Sequence, residues 1–398
     1  MKIKMPELGL RIRRLDANGQ TISDRREPAH SWTRNGWNFI FGLMTGCTGD
    51  GGVAFGAGYM SGRSVGGDIR TDGIVNRTTG TNVYGFLNSL SAGSASQPER
   101  GGLVVGSGNT AFNINDYALD AIIGSGTAAG TLWYPANSTG WTAAYDSVSN
   151  TWTATIERSF LNDSGGNVTA KEAGLQWHGL LYRSGTTRET YLLARDVLET
   201  EEVIAHSETL IINYDIVYGF GALGDDGWTR NALNWLLATT ADSLSTGDNA
   251  FEDGVLSAKT TAGTIHRAAS VAYMCWRGIF TLIVGSGTTA FDPDQHNLAT
   301  TIANGTSAGQ LAHGTVSTSI NYAAKIWEAT ISRVFTNNSG GDVTVQEYGM
   351  IREGGRMFTQ TNSNYLFLRH VPAAAETVSN TDTYTLNIKI SMDFSEID

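Results

Sequence analysis

Proline is scarce in this chain, 6 residues among 398, and cysteine scarcer still, with Cys47 and Cys275 the only two. Neither cysteine lies in a CxxC spacing, which excludes a disulfide framework and a cysteine-based zinc site and leaves both as small buried side chains. No run of about 18 apolar residues occurs, so no membrane-crossing helix and no membrane partner are expected. The opening "MKIKMPELGLRIRRLDANGQ" also lacks the apolar core and cleavage site of a secretory signal, so synthesis in the cytoplasm is expected. Basic charge is in deficit, with 27 Lys and Arg against 38 Asp and Glu and a formal net charge of −11. Such a field repels a phosphate backbone, and nucleic acid is not expected as a direct ligand.

Residue patterns that would carry catalysis are missing as well. The seven histidines, at 30, 178, 206, 266, 296, 313 and 370, form no HxH, HExxH or HxxxH pattern. Ser107 and Ser286 sit where a nucleophile elbow would need glycine two residues earlier, and Val105 and Val284 stand there instead. The acidic loops "TGDGGV" and "GGDIRTDG" lack the spaced carboxylates and closing glutamate of a calcium loop. The sequence therefore points to no catalytic residue, no metal and no cofactor.

Glycine is what the chain has in quantity, 48 residues, in turn-like clusters between short apolar segments. One segment is "VGSGNTAF", Val105 to Phe112, where Gly106, Gly108 and Ala111 have the spacing of a dinucleotide loop. That reading needs a helix after the glycines, yet "NINDYALDAIIGSG" has no helical period. The segment returns as "VGSGTTAF", with Gly285 and Gly287, followed by Asp292-Pro293, which disfavours a helix there too. The four glycines are expected to serve turns with close backbone packing, with no nucleotide bound.

The recurrence extends over nearly the whole chain. Leu103–Leu132 aligns without gaps on Leu282–Leu311 with fifteen of thirty positions identical. "SWTRNGWNFIFGLMTG" matches "GWTRNALNWLLATTAD", and "TWTATIERSFLNDSGGNVTAKEAGL" matches "IWEATISRVFTNNSGGDVTVQEYGM". The offset is 196 at Trp32 and Trp228 but 179 at Val105 and Val284, so the first copy carries a surplus of 17 residues within Cys47 to Arg100, read as a surface loop. The expected fold is mainly β: two tandem, homologous β-sandwich-like (jelly-roll-like) domains, 29–222 and 223–398, after an arm over 1–28. Each domain should open with one short helix, Thr33–Leu43 with Ser31 as its cap and Thr229–Leu237, and continue in strands.

Period-2 alternation identifies one strand in each copy, with Trp152, Ala154, Ile156 and Phe160 on one face and Trp327, Ala329, Ile331 and Phe335 on its counterpart. "NDSGGN" and "NNSGGD" then read as hairpin reversals. Arg158 and Arg333 interrupt the apolar parity, as do Glu172 and Glu347 on the returning strands. Charges facing inward need partners, and cross-strand ion pairs Arg158–Glu172 and Arg333–Glu347 are expected. The arm carries Arg11, Arg13, Arg14, Arg25 and Arg26, with a hairpin expected about Asn18-Gly19. Set against an acidic body, it is a solvated segment or a contact to a neighbouring subunit.

The succession "IVGSGTTAF", "SAGQL", "ISRVFTNNSGGDVTVQEYGM" and "LLARDVL" or "LFLRHVP", with the opening "RREPAHSWTRNGWNFIFGLMT", resembles uncharacterised virion structural proteins of tailed bacteriophages. That resemblance implies a non-enzymatic structural role in the virion and no catalytic residues. The expected place is a tail-associated adaptor, collar or fibre base forming a ring or array, with head decoration as one alternative. Partners would be further copies of the chain and other virion proteins. A carbohydrate-binding role, with a host-surface glycan as partner, is the other alternative.

Overall fold

In the computed structural model the described residues are 6–29, 32–45, 62–70, 101–134, 139–146, 149, 151–179, 189–219, 227–234, 257–267, 279–323, 326–355 and 363–393. They are mainly β, arranged in several antiparallel sheets. The chain divides into two compact units, in the main Met5–Ala222 and Leu223–Glu396.

In the N-terminal unit the chain begins with β1 (Glu7–Leu15) and β2 (Thr21–Ala29), followed by α1 (Arg34–Thr45) and the short pair β3 (Gly62–Arg63) and β4 (Ile69–Arg70). Next come β5 (Gly102–Gly106), β6 (Thr139–Asp146), β7 (Thr151–Leu161), β8 (Val168–Gly179), β9 (Glu189–Ile204) and β10 (Thr209–Gly219). One sheet has the order β2-β1-β10-β7-β6 and a second the order β5-β8-β9. Strand β7 buries alternate residues throughout, as its sequence period requires. Thr33 caps α1: its carbonyl accepts from Trp37 at 3.0 Å and its Oγ1 from Gly36 at 3.5 Å. Ser31 lies outside the described residues, as do the side chains of Phe39 and Leu43; Ile40 is buried.

The C-terminal unit contains β11 (Ser257–Lys259), β12 (Ile265–Arg267), β13 (Ile279–Gly285), β14 (Ala312–His313), β15 (Ser317–Ala323), β16 (Ile326–Thr336) and β17 (Val343–Val345). It ends with β18 (Glu347–Gly355), β19 (Ser363–His370), β20 (Glu376–Val378) and β21 (Thr383–Asp393). Residues 230–234 are helical, and the rest of the second expected helix lies outside the described residues. Strand pairings repeat those of the first unit. The order β13-β18-β19 parallels β5-β8-β9, and β16 pairs with β15 and β21 as β7 pairs with β6 and β10. Where β9 runs unbroken, its counterpart is split into β19 and β20. Pro372, aligned with Leu198, lies in the gap and cannot donate to a ladder.

Small details recur too. Thr33 Oγ1 donates to Leu192 O and Thr229 Oγ1 to Leu366 O, while the Asn35 and Asn231 amides each bridge two carbonyls. Asn162 and Asn337 tie the turn after β7 and β16 to Ile204 O and Val378 O, each at 2.7 Å. The facing turns each hold a left-handed non-glycine residue, Ser207 (φ 70°) and Thr381 (φ 75°).

Two expectations are corrected. The "NDSGGN" and "NNSGGD" turns are not hairpin reversals, because β7 and β8 belong to different sheets, as do β16 and β18. Nor is the N-terminal segment a free arm. It does form a hairpin turning at Asp16–Gly19, but β1 pairs with β10 along nine residues and places Leu10 and Ile12 in the core. Its arginines are engaged within the chain: Arg11 with Asp24, Arg13 with Glu157, Arg14 with Glu202 and Glu208, Arg25 with Glu27 and Glu202, and Arg26 with Asp215. The acidic body that the basic strand complements is its own unit.

Because Ile12 is fully buried, Ile12→Ala should lower the unfolding free energy of the N-terminal unit by about 2–4 kcal/mol in urea titrations. A loss below about 0.5 kcal/mol would return β1 to the status of a loosely attached arm.

Candidate functional site: a buried carboxylate–arginine centre in each unit

Among the described residues, the charged side chains with no exposed surface at all meet, in each unit, where the first strand of the three-stranded sheet ends in glycine. Gly106 closes β5 and Gly285 closes β13, and each pairs with a glutamate on the central strand, Glu172 on β8 and Glu347 on β18. Both glutamates are 0% exposed. A carboxylate in that position needs all of its lone pairs occupied, and the loop after the glycines returns to supply donors. Glu172 Oε1 accepts from the amides of Gly108 (3.2 Å) and Ala121 (3.0 Å), and Oε2 from Asp120 N (3.2 Å) and Arg195 Nε (2.8 Å). Glu347 is held at the aligned positions, by Gly287 N (3.0 Å), Thr300 N (2.7 Å), Ala299 N (3.0 Å) and Arg369 Nε (2.7 Å).

Arg195 on β9 and Arg369 on β19 are themselves 0% exposed, and their remaining donors turn to the same loop. Arg195 reaches Asp116 Oδ2 at 2.7 Å, Thr110 O at 3.0 Å and Asp120 Oδ2 at 3.1 Å. Arg369 reaches Gln295 Oε1 at 2.8 Å and Thr289 O at 2.9 Å. Burial acts to lower the Arg195 pKa, but hydrogen bonds and charge from Glu172 and Asp116 outweigh it and leave the pKa raised. The centres differ in charge: Asp116 and Asp120 add two carboxylates to the first, where Gln295 and Ala299 stand in the second.

The glycines are explained by these carboxylates. A Cβ on Gly108 would lie 2.7 Å from Glu172 Oε1, and one on Gly106 would lie 2.8 Å from Ala121 O. Gly285 and Gly287 meet the same obstruction, with Glu347 Oε1 2.7 Å from a Cβ on the former and Glu347 Cδ 2.9 Å from one on the latter. Close approach, with no left-handed backbone at these four positions, is what demands glycine.

The expected pairs Arg158–Glu172 and Arg333–Glu347 do not form. Each arginine lies on the opposite sheet from its supposed partner, and there it serves to join the two sheets. Arg158 Nη1 donates to Leu103 O at 2.9 Å and lies over the Tyr134 ring at 4.8 Å. Arg333 donates to Leu282 O (2.7 Å), Thr281 Oγ1 (2.9 Å) and Gly314 O (2.8 Å). Arg195 and Arg369 were the partners to find. Their signal was a charged residue recurring inside two apolar strands, "LLARDVL" and "LFLRHVP".

With four donors on each buried glutamate, Glu172 and Glu347 orient the strands and loops around them. Compared with family models, curated proteins and solved structures, the chain matches none.

In the second unit, His313 occupies the position of Tyr134 and packs edge-on against Phe335 at 4.9 Å, as Tyr134 packs on Phe160 at 4.8 Å. Burial, reinforced by the nearby Arg333, lowers its pKa to about 4.

Removing Arg195 leaves Glu172 buried without its counter-charge, so Arg195→Met should destabilise the N-terminal unit by about 3–5 kcal/mol in urea unfolding. A cost under about 1 kcal/mol would show the pair to be dispensable. For His313 the unfolded state binds a proton near pH 6.5 and the folded state only near 4. Stability from this group is therefore complete above about pH 6.5, declines as pH falls toward 4 and then levels off, by up to about 2 kcal/mol allowing for partial solvent screening. His313→Tyr should flatten that segment of the pH profile of the C-terminal unit; an unchanged slope would show that another group titrates.

Proposed function

We propose that the chain is a tandem duplication of one β-sandwich-like unit and acts as a non-enzymatic structural protein of a tailed-bacteriophage virion. The observation that carries the reading is the double use of the same residues. Glu172 and Glu347, Arg195 and Arg369, Arg158 and Arg333 do the same structural work at aligned positions, so these inward-facing charged groups maintain the fold of each unit. Two similar but unequal units per chain let a ring of n copies offer 2n related surfaces to a neighbour of different symmetry. Junctions of that kind favour a tail-associated adaptor, collar or fibre base over head decoration.

Glycan binding is the second reading, favoured by one observation. Trp133 is 44% exposed and Ile122 46%, while the aligned positions in the second unit hold Ala312 and Thr301. An exposed aromatic whose aligned position in the second unit holds alanine is the sort of platform on which a sugar ring stacks.

Quantitative mass spectrometry of purified particles should find the chain in fixed stoichiometry with the tail proteins and absent from tail-less heads. Its absence from particles would refute the structural reading. Glycan-array binding abolished by Trp133→Ala, with fold retained, would move the protein to the second.

A further inference from the structure

The turns that carry the chain between the two sheets are tied together alike in both units, except at one acceptor. In the N-terminal unit the turn after β7 meets the turn between β9 and β10. Asn162 N donates to Glu208 O at 2.9 Å, and Ser207 N donates back to Asn162 O at 2.7 Å. In the C-terminal unit Asn337 N donates to Asp382 O at 2.9 Å and Thr381 N to Asn337 O at 2.6 Å. A glycine amide completes each contact. Gly340 N donates to Asn380 Oδ1 at 2.9 Å, whereas Gly165 N donates to His206 Nδ1 at 3.2 Å. A side-chain amide oxygen has no proton to gain in ordinary buffers. An imidazole accepts only while neutral, here with its proton on Nε2, and after protonation both ring nitrogens are donors.

We propose that His206 makes this latch pH-sensitive in the N-terminal unit alone. Protonation at Nδ1 turns a donor toward the Gly165 amide, breaks the bond and releases that amide to water. His206 is exposed, so its proton comes from solvent without any opening of the core. Ser207 beside it stands at φ 70°, a conformation a non-glycine residue keeps only while its surroundings hold it, and the latch is one of those restraints. The bond from the buried Asn162 side chain to Ile204 O (2.7 Å) has no titrating member, so the change is confined to the outer rim of the turn. The other charged groups of the two turns are Asp163 and Glu208. Glu208 is engaged by the Ala205 amide (2.9 Å) and by Arg14 of β1 (3.6 Å), which also reaches Glu202 (3.6 Å). A latch of this kind works whether or not the chain assembles into a particle.

The test is NMR of the full chain labelled with nitrogen-15 in glycine and histidine, titrated from about pH 8 to about pH 5, the range in which an imidazole gains its charge. The Gly165 amide should lose about threefold in protection from exchange, the lower end of what one hydrogen bond is worth, with the same midpoint as the His206 ring. Gly340 should stay constant. His206→Asn should abolish the response at Gly165, and Asn380→His should transfer it to Gly340. Both positions are exposed, and thermal unfolding of each variant checks that its fold is kept. A Gly165 amide indifferent to the His206 titration overturns the proposal. So does a response that persists in His206→Asn, which would belong to Asp163 or Glu208, or a folded Asn380→His variant whose Gly340 amide does not respond.

Discussion

A carboxylate sealed from water dictates the architecture of each unit. Glu172 and Glu347 are tolerable inside a sheet only with four donors each, three of them backbone amides from a loop more than forty residues away in sequence. That demand explains otherwise unrelated features. It fixes the path of the loop after β5 and β13, requires glycine where the loop passes over the carboxylate, and places an arginine on the neighbouring strand. A glutamate in water would need none of this. Once buried, it makes the wrong register of the three-stranded sheet costly, because any slip separates it from its donors.

Comparison of the units shows which parts are constrained and which are free. The glutamate, its arginine, the two glycines and the Asn turn are retained. The remainder differs in ways that keep packing while changing chemistry. Asp116 becomes Gln295, and Tyr134 becomes His313. The Tyr214–Asp196 hydrogen bond of 2.6 Å is replaced by Ile388 and His370. Burial, then the Asp196 charge, raises the Tyr214 pKa well above that of an exposed tyrosine, so this phenol remains a neutral donor.

The repeat, the β-rich character and the inward orientation of Glu172 and Glu347 were legible in the sequence, because period-2 alternation and self-alignment report local geometry directly. Partner identity was not. Assigning Arg158 to Glu172 assumed that strands adjacent in sequence are adjacent in a sheet, whereas the chain crosses between sheets at Asn162. Pattern alone does not distinguish a hairpin from such a crossing, since both need a polar, glycine-containing turn. The basic N-terminal strand misled for a related reason. Its complementary acids, Glu157, Glu202, Glu208 and Asp215, lie far along the chain and become neighbours only through β1–β10 pairing.

Amide hydrogen exchange at the donors to the two carboxylates tests the central claim most directly. If these centres hold the units together, the amides of Gly108, Asp120, Ala121, Gly287, Ala299 and Thr300 should exchange only through global unfolding of their own unit, as slowly as those of β8 and β18, despite lying in loops. Exchange at the rate of ordinary surface turns, well ahead of the strands, would contradict the account and reduce the buried pair to a passive ornament of the fold.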